Sequence, residues 1–306
     1  MRNPILLTCA VAALFVAGCA SETQKKRECL GETDDAIKVC ATGPTLKGVD
    51  VSYHNGTVDW AKAKASGQTF AFVRVSDGTK FYDSQFVRNY TETRKHGFFR
   101  GVYQFFRPGQ DPIAQADLLI TKINQNGGLQ PGDLPPVLDL EAGDGQTAAV
   151  IVARAKQWVA KVQAAFGVTP IVYTAAYFSN TYVGNAFSSH PLWVANYQTT
   201  CPTIPNGWSN WHFWQNSESG TVPGVSGAVD TNLFQGDLPA LKALTVKAPE
   251  LAPPDAREKL DVGGAERVDL QAEDGGQTLG QGDDKLVNSE LVDTGATQEA
   301  PPSPCL

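Results

Sequence analysis

Asp139 and Glu141, two residues apart, end a short apolar run, Leu134-Pro135-Pro136-Val137-Leu138-Asp139-Leu140-Glu141, that breaks into Gly143-Asp144-Gly145. Prolines before it and glycines after it bound a segment with the length of a buried strand. Side chains alternate along a strand, so both carboxyls point the same way, about 6.6 Å apart at the backbone. Two charges held at the end of a buried strand are costly unless solvated or paired. A strand emerging into water accounts for an isolated D-x-E as well as a site does, and the rest of the chain must separate the two. The chemistry such a pair can do is glycosidic cleavage, which needs a proton donor for the leaving oxygen and negative charge opposite an oxocarbenium-like centre. Glu141 beside an anionic neighbour is kept protonated and suits the donor, with Asp139 as the opposing charge. A structural reading instead pairs a buried Glu141 with Arg74 or a lysine.

The elements around the pair have a repeating rhythm. Strands are expected at Lys47–Ser52, Thr69–Val75, Phe98–Phe106, the carboxylate run, Pro170–Thr174, Leu192–Tyr197, Trp211–Gln215 and Ala228–Asn232. Helices are expected after the Asp59 cap, through Phe86 and Tyr90, over Asp111–Asn124 with Pro112 in its first turn, over Thr147–Phe166, near Tyr177–Val183, and over Leu238–Leu244. Eight strands mostly alternating with helices fit an α/β fold, a closed TIM-like (β/α)8 barrel of parallel strands. Loops join the last three strands, so the helical ring should be incomplete there. Active sites of such barrels lie at the C-terminal strand ends, and Asp50, Asp139, Glu141 and Asp230 all fall at or near those ends. Tyr103, Tyr173, Trp193 and Trp214 offer flat faces for sugar rings near the same ends, and Asn196, Gln215 and Asn232 offer hydrogen bonds.

The flanks are of another kind. Residues 1–19 read as an export signal: Arg2, an apolar run from Ile5 to Val16, and Val16-Ala17-Gly18-Cys19, which is similar to a bacterial lipoprotein box with Cys19 as the lipidated residue. Residues 20–45 read as a tether, 46–246 as the catalytic barrel, and 247–306 as an acidic disordered tail with no aromatic residue. The chain carries a net charge of -7, and the 13 acidic and 4 basic residues after Lys247 account for it, leaving a near-neutral body. That balance argues against a nucleic-acid partner. With Cys9 removed and Cys19 acylated, Cys29 and Cys40 can pair with each other, or one of them with Cys201 or Cys305; the Cys29–Cys40 pair is expected. His54, His96, His190 and His212 lack metal-ligand spacing, and there is no phosphate loop or G-x-S-x-G elbow, so neither metal nor cofactor is expected.

Taken in order, these segments resemble the muramidases of glycoside hydrolase family 25, the lysozyme family of bacterial, phage and fungal cell-wall hydrolases. The residues that carry the likeness are Gly48-Val49-Asp50-Val51-Ser52-Tyr53-His54-Asn55-Gly56 with Asp59-Trp60, Phe72-Val73-Arg74-Val75 with Gly78 and Asp83, and Gly101-Val102-Tyr103. Further on they are Val137–Glu141, Ile171–Thr174, Leu192–Ala195, Trp214-Gln215 and Val229–Asn232. The resemblance covers roughly residues 46–245. It implies cleavage of the β-1,4 bond between N-acetylmuramic acid and N-acetylglucosamine, with retention. Glu141 would be acid and base, and Asp139 the charge stabiliser or the residue that positions a substrate acetamido group. Asp50 and Asp230 would be electrostatic and orienting members. The sequence departs from the family at Gln104, where a His is common, and at Asn55, where a Gln is common; both changes are expected to alter substrate contacts more than chemistry. The expected protein is an exported, lipid-anchored monomer of the outer membrane, on its periplasmic face or the cell surface, acting on peptidoglycan glycan strands. The alternatives are a wall-binding lipoprotein without catalysis and a glycosidase of another N-acetylated polymer such as chitin.

Overall fold

A computed structural model describes residues 37–248. The signal segment with Cys19, most of the tether with Cys29, and the acidic tail with Cys305 lie outside the described residues. Nine strands form the sheet: β1 (Thr45–Val51), β2 (Phe70–Asp77), β3 (Phe81–Tyr82), β4 (Phe99–Phe105), β5 (Val137–Asp139), β6 (Ile171–Ala175), β7 (Leu192–Ala195), β8 (Phe213–Gly220) and β9 (Val229–Gln235). Their order, β1-β9-β8-β7-β6-β5-β4-β2 with β1 paired back to β2, closes an eight-stranded barrel, and β3 hangs on β2 as a short hairpin. The expected barrel is therefore present, with one difference: β9 runs antiparallel to both β8 and β1. The hairpin link from β8 is too short for the crossover that a parallel partner requires.

The helices are α1 (Trp60–Ala65), α2 (Phe86–Lys95), α3 (Pro112–Gln125), α4 (Ala148–Phe166), a short α5 (Ala176–Phe178) that runs into a wider turn, and α6 (Leu238–Leu244). Four of them, α1, α3, α4 and α6, begin where a side-chain oxygen satisfies the first free amides. Asp59 accepts from Lys62 N, Asp111 from Ile113 and Ala114 N, Thr147 from Val150 N, and Asp237 from Ala240 N. Among the described residues no helix is long and apolar enough to cross a membrane.

Two layers of core follow from strand alternation. Outward residues such as Val49, Val73, Val102, Leu138 and Val172 pack under the helices with Trp60, Phe86, Leu119 and Trp158. Inward residues fill the barrel: Phe70, Phe72, Val137, Ile171, Trp193, Phe213 and Phe234, with Leu241 of α6 among them. Two glycines make room for the rings. A Cβ on Gly48 would sit 2.4 Å from the Phe70 ring, and one on Gly101 2.3 Å from the Phe72 ring. Gly101→Ala is expected to destabilise the fold by about 1–3 kcal/mol through overpacking. Thermal unfolding checks this, and an unchanged melting temperature would show that Phe72 can move aside.

Among the described residues no helix covers the outer face of β7 and β8. That face is closed by the Cys201–Trp211 connection and by the chain entering the barrel: Leu192, Val194, Ile204, Trp211 and Trp214 cluster there with Val39 against them. Residues 37–40, which the sequence assigns to the tether, are fastened to this side. Val39 N donates to Pro202 O at 3.0 Å, Ile204 N to Ile37 O at 2.8 Å, and Trp211 Nε1 to Val39 O at 2.7 Å. The same docking corrects the disulfide expectation, because Cys40 is brought to Cys201 and bonded to it, not to Cys29. A link across 161 residues of sequence removes much denatured-chain freedom. Cys201→Ser is expected to cost about 3–5 kcal/mol, on the order of 10 °C for a domain of this size. Calorimetry with and without reductant measures it, and equal transitions would show that the link adds nothing.

Candidate active site

The inward residues at the mouth of the barrel are polar where those below are aromatic. Asp50 ends the inner face of β1, and in the closing pair it stands directly opposite Asp230. Because β9 is reversed, Asp230 reaches the C-terminal face from the start of its strand, not from its end as the parallel barrel would require. Asp139 is the last residue of β5, and Glu141 follows on the same side. Asp50 and Asp139 are buried, while Glu141 and Asp230 keep partial exposure at the mouth.

Asp50 is held from two sides. Its Oδ2 accepts from Gln215 Nε2 at 2.9 Å and from Asn232 Nδ2 at 2.7 Å. The Gln215 oxygen in turn accepts from the Tyr173 and Tyr197 hydroxyls at 2.8 and 2.5 Å, and the Asn232 oxygen accepts from Trp193 Nε1 at 2.8 Å. Trp193 lies beneath the cluster. Its ring stacks on Phe72 at 4.3 Å and meets Tyr173 edge-on at 4.7 Å, and it is 1% exposed. Tyr103, edge-on to Trp193 at 6.2 Å, is the predicted aromatic that stays partly open at the mouth.

Electrostatics follow from crowding acids in a dry place. Burial, then the charge of Asp50, raises Glu141 from 4.5 to about 7, with Asp77 adding to the rise and Arg107 opposing it. Burial raises Asp50 to about 6 against the pull of its amide donors. Asp230 goes to about 9, through burial, the Asp50 charge and the proton it donates to Asp50. Burial, then Glu141 and Asp50, lifts Asp139 well above the carboxylate range. The charge of Glu141 thus opposes ionisation of Asp139, and the pair loses its protons in separate steps. Burial also raises the Tyr103, Tyr173 and Tyr197 hydroxyls, which keeps them as neutral donors.

Two predicted contacts point elsewhere. Trp214 falls on the outer face of β8, packs on Trp211 at 5.9 Å and donates to Asn196 O at 2.7 Å. Asn196 is fully buried on that side, its Oδ1 accepting from Thr203 N at 2.7 Å. Both lie one position out of phase with their inward neighbours, Gln215 and Ala195. Gln104 is likewise no substrate contact: it is buried between Ser76 Oγ at 2.8 Å and Trp158 Nε1 at 2.6 Å. Asn55 caps its own turn through Ser52 N at 3.0 Å and reaches Ala228 O at 3.2 Å. The proposed Arg74 counter-ion is bonded to Asp83 at 2.9 Å instead.

Sequence reasoning missed two groups. Tyr197 follows Trp193 and Ala195 on the inward phase, and that alternation was the available signal. Arg107 bonds Asp77 at 2.5 and 2.6 Å and Asp144 at 3.4 Å, tying together the loops after β2, β4 and β5 beside Glu141. No local motif marks it. Among the described residues no group of three or more His, Cys, Asp or Glu could hold a metal ion.

An eight-stranded α/β barrel with acids converging at the C-terminal mouth has the architecture of a sugar-bond hydrolase. Residues 49–225 match Glycosyl hydrolases family 25, and the chain belongs to that family of glycoside hydrolases. It is 35% identical over 212 residues to Lysozyme M1 of Streptomyces globisporus, covering 65% of this chain and 71% of that one. It is 35% identical over 213 residues to YegX of Escherichia coli, with 68% and 76% covered. The bacterial lysozyme structure from Streptomyces coelicolor superposes with a TM-score of 0.62 at 34% identity, covering 67% of this chain and 98% of that one.

Proposed function

We propose that this chain is an N-acetylmuramidase, cleaving the β-1,4 bond from N-acetylmuramic acid to N-acetylglucosamine in peptidoglycan with retention of configuration. The observation that carries this reading is Glu141, a partly open carboxyl at the barrel mouth that burial and the Asp50 charge raise to about 7. Such a group still holds a proton at neutral pH and can pass it to a leaving oxygen. Glu141 then takes a proton from the incoming water as general base. Asp139 Oδ1 is buried with no hydrogen-bond partner among the described residues, and it lies beside the donor acid. A substrate acetamido N–H donating to Asp139 favours its charged form, which sends its proton to Glu141 as the sugar arrives. The acetamido oxygen, so positioned, attacks the anomeric carbon as the leaving oxygen departs. Asp50 is the fixed anion behind the pair, and Asp230 holds a proton against it. Tyr103 is placed to touch the sugar. The Lysozyme M1 likeness supports peptidoglycan over chitin.

The place of action in this reading is outside the cytoplasm, with Cys19 lipidated, residues 20–36 as tether, and the enzyme held as a monomer at the outer membrane. The Cys40–Cys201 bond supports an oxidising compartment. The test incubates the full chain with purified sacculi and follows new reducing ends, identified by borohydride reduction and sugar analysis. Reduced muramic acid is expected, and is lost in Glu141→Gln. Reduced glucosamine would place the cut at the other bond. Sacculus binding without new ends would make the protein a wall binder, and ends from chitin oligomers alone would move the substrate.

A further inference from the structure

We infer that Gln215 and Asn232 are positioning residues that clamp Asp50, not sugar contacts, with Trp193 setting the direction of Asn232 and the Tyr173 and Tyr197 hydroxyls anchoring the far end of Gln215. The inference rests on the proposed role of Asp50 as the fixed anion of the site.

An amide side chain has one acceptor end and one donor end, and its neighbours decide which way round it lies. Indole N–H can only donate, so the Asn232 end facing Trp193 Nε1 must be its oxygen, and the NH2 end is left for Asp50. For Gln215 the carboxylate decides: a phenol hydroxyl can donate or accept, but the Asp50 carboxylate only accepts, so Oδ2 takes the NH2 end and Oε1 is left to accept from the Tyr173 and Tyr197 hydroxyls. The two hydrogen-bond chains run from β6 to β8 and from β7 to β9, over neighbouring strands, and meet on one oxygen, Oδ2. Gln215 is 4% and Asn232 1% exposed, so neither has surface to offer a sugar. Gln198, just after Tyr197, adopts φ 55°, a left-handed conformation that is uncommon for a residue with a Cβ. The loop is held in that shape where it presents the Tyr197 hydroxyl.

The consequence is a carboxylate that neither rotates nor reorganises as the substrate becomes positively charged. Preorganised hydrogen bonds of this kind act on the barrier more than on binding. The groups facing Asp50 are Asp230 of β9, Asp139 of β5 with Glu141 just after it, Tyr103 of β4, Tyr173 of β6 and Tyr197 after β7, with Arg74 one inward position beyond the Phe72 that pairs with Asp50 on β2. Losing a donated N–H raises the acid limb of activity that Asp50 sets.

The experiment uses two isosteric variants of the full chain, Gln215→Glu and Asn232→Asp, with Tyr197→Phe as a milder third that keeps the ring. Each is read by kcat and KM on soluble peptidoglycan fragments. Each is also read by carbon-13 titration of labelled aspartate carboxyls, with Asp50→Asn for assignment. For the two isosteric variants the expected result is a fall in kcat of about 10- to 100-fold, KM within about threefold, and an Asp50 midpoint at least about one pH unit higher. Tyr197→Phe should show a smaller shift in the same direction. An unmoved Asp50 midpoint in all three, or a raised KM at unchanged kcat, overturns the clamp. If the wild-type protein releases no reducing ends, the muramidase reading fails by itself, and the titration still decides the clamp.

Discussion

Glu141→Gln should lower peptidoglycan cleavage by about 10²–10⁴-fold while leaving the barrel folded and more stable than the wild type above neutral pH. The activity loss follows from removing the partly open acid whose proton is loosely enough held near neutral pH to be given up, whereas Asp230 keeps its proton against Asp50. The gain in stability follows from linkage. The Glu141 carboxyl is raised from 4.5 to about 7 in the folded state, so the folded protein holds this proton more tightly than the unfolded chain does. The stability tied to that proton is complete below about pH 4.5 and is lost as pH rises through 7. An amide at the same place cannot ionise and does not suffer the loss. The difference in unfolding free energy between variant and wild type should be near zero at pH 4.5 and reach up to about 3 kcal/mol above pH 7. Denaturant unfolding at several pH values measures it. A flat difference across that window would mean that Glu141 is not crowded by its neighbours, and retained cleavage would assign the donor elsewhere.

Asp139→Asn is expected to reduce kcat by at least about 100-fold and also to move the basic limb of the pH–rate profile downward. In the proposed mechanism the bound substrate leaves Asp139 charged beside a protonated Glu141, so removing that charge lets Glu141 ionise at lower pH. Glu141 then loses its acid form in the range where the wild type still keeps it. The substrate acetamido group also faces an amide in place of a carboxylate, and loses the charged partner that aligns its oxygen for attack. A pH–rate series on soluble fragments separates the two effects, since the charge effect moves the limb and the alignment effect lowers the plateau. A lowered plateau with an unmoved limb would show that Asp139 acts on the sugar alone.

How much was legible in the chain depends on the range of the cause. Capping residues, the amphipathic run over Ala148–Phe166, and the alternation of Asp139 with Glu141 act within a few positions, and all of them were readable. The eight-stranded closed barrel followed from the alternation of elements, and the acids grouped because each stands at the mouth end of its strand. What could not be read were facts set by partners far away in sequence. The reversal of β9 is fixed by its pairing with both β8 and β1, the second of which lies some 180 residues earlier. Cys40 finds Cys201 because the entering chain seals a face that has no helix, not because of any local spacing. Trp214 and Asn196 carry side chains suited to sugars, yet strand phase sends both outward. Residue types and their spacing mark out the acids able to do this chemistry and the periodicity that carries them. Which way each side chain faces comes from the folded barrel, because direction is set by the register of neighbouring strands and by the donor or acceptor waiting on the other side.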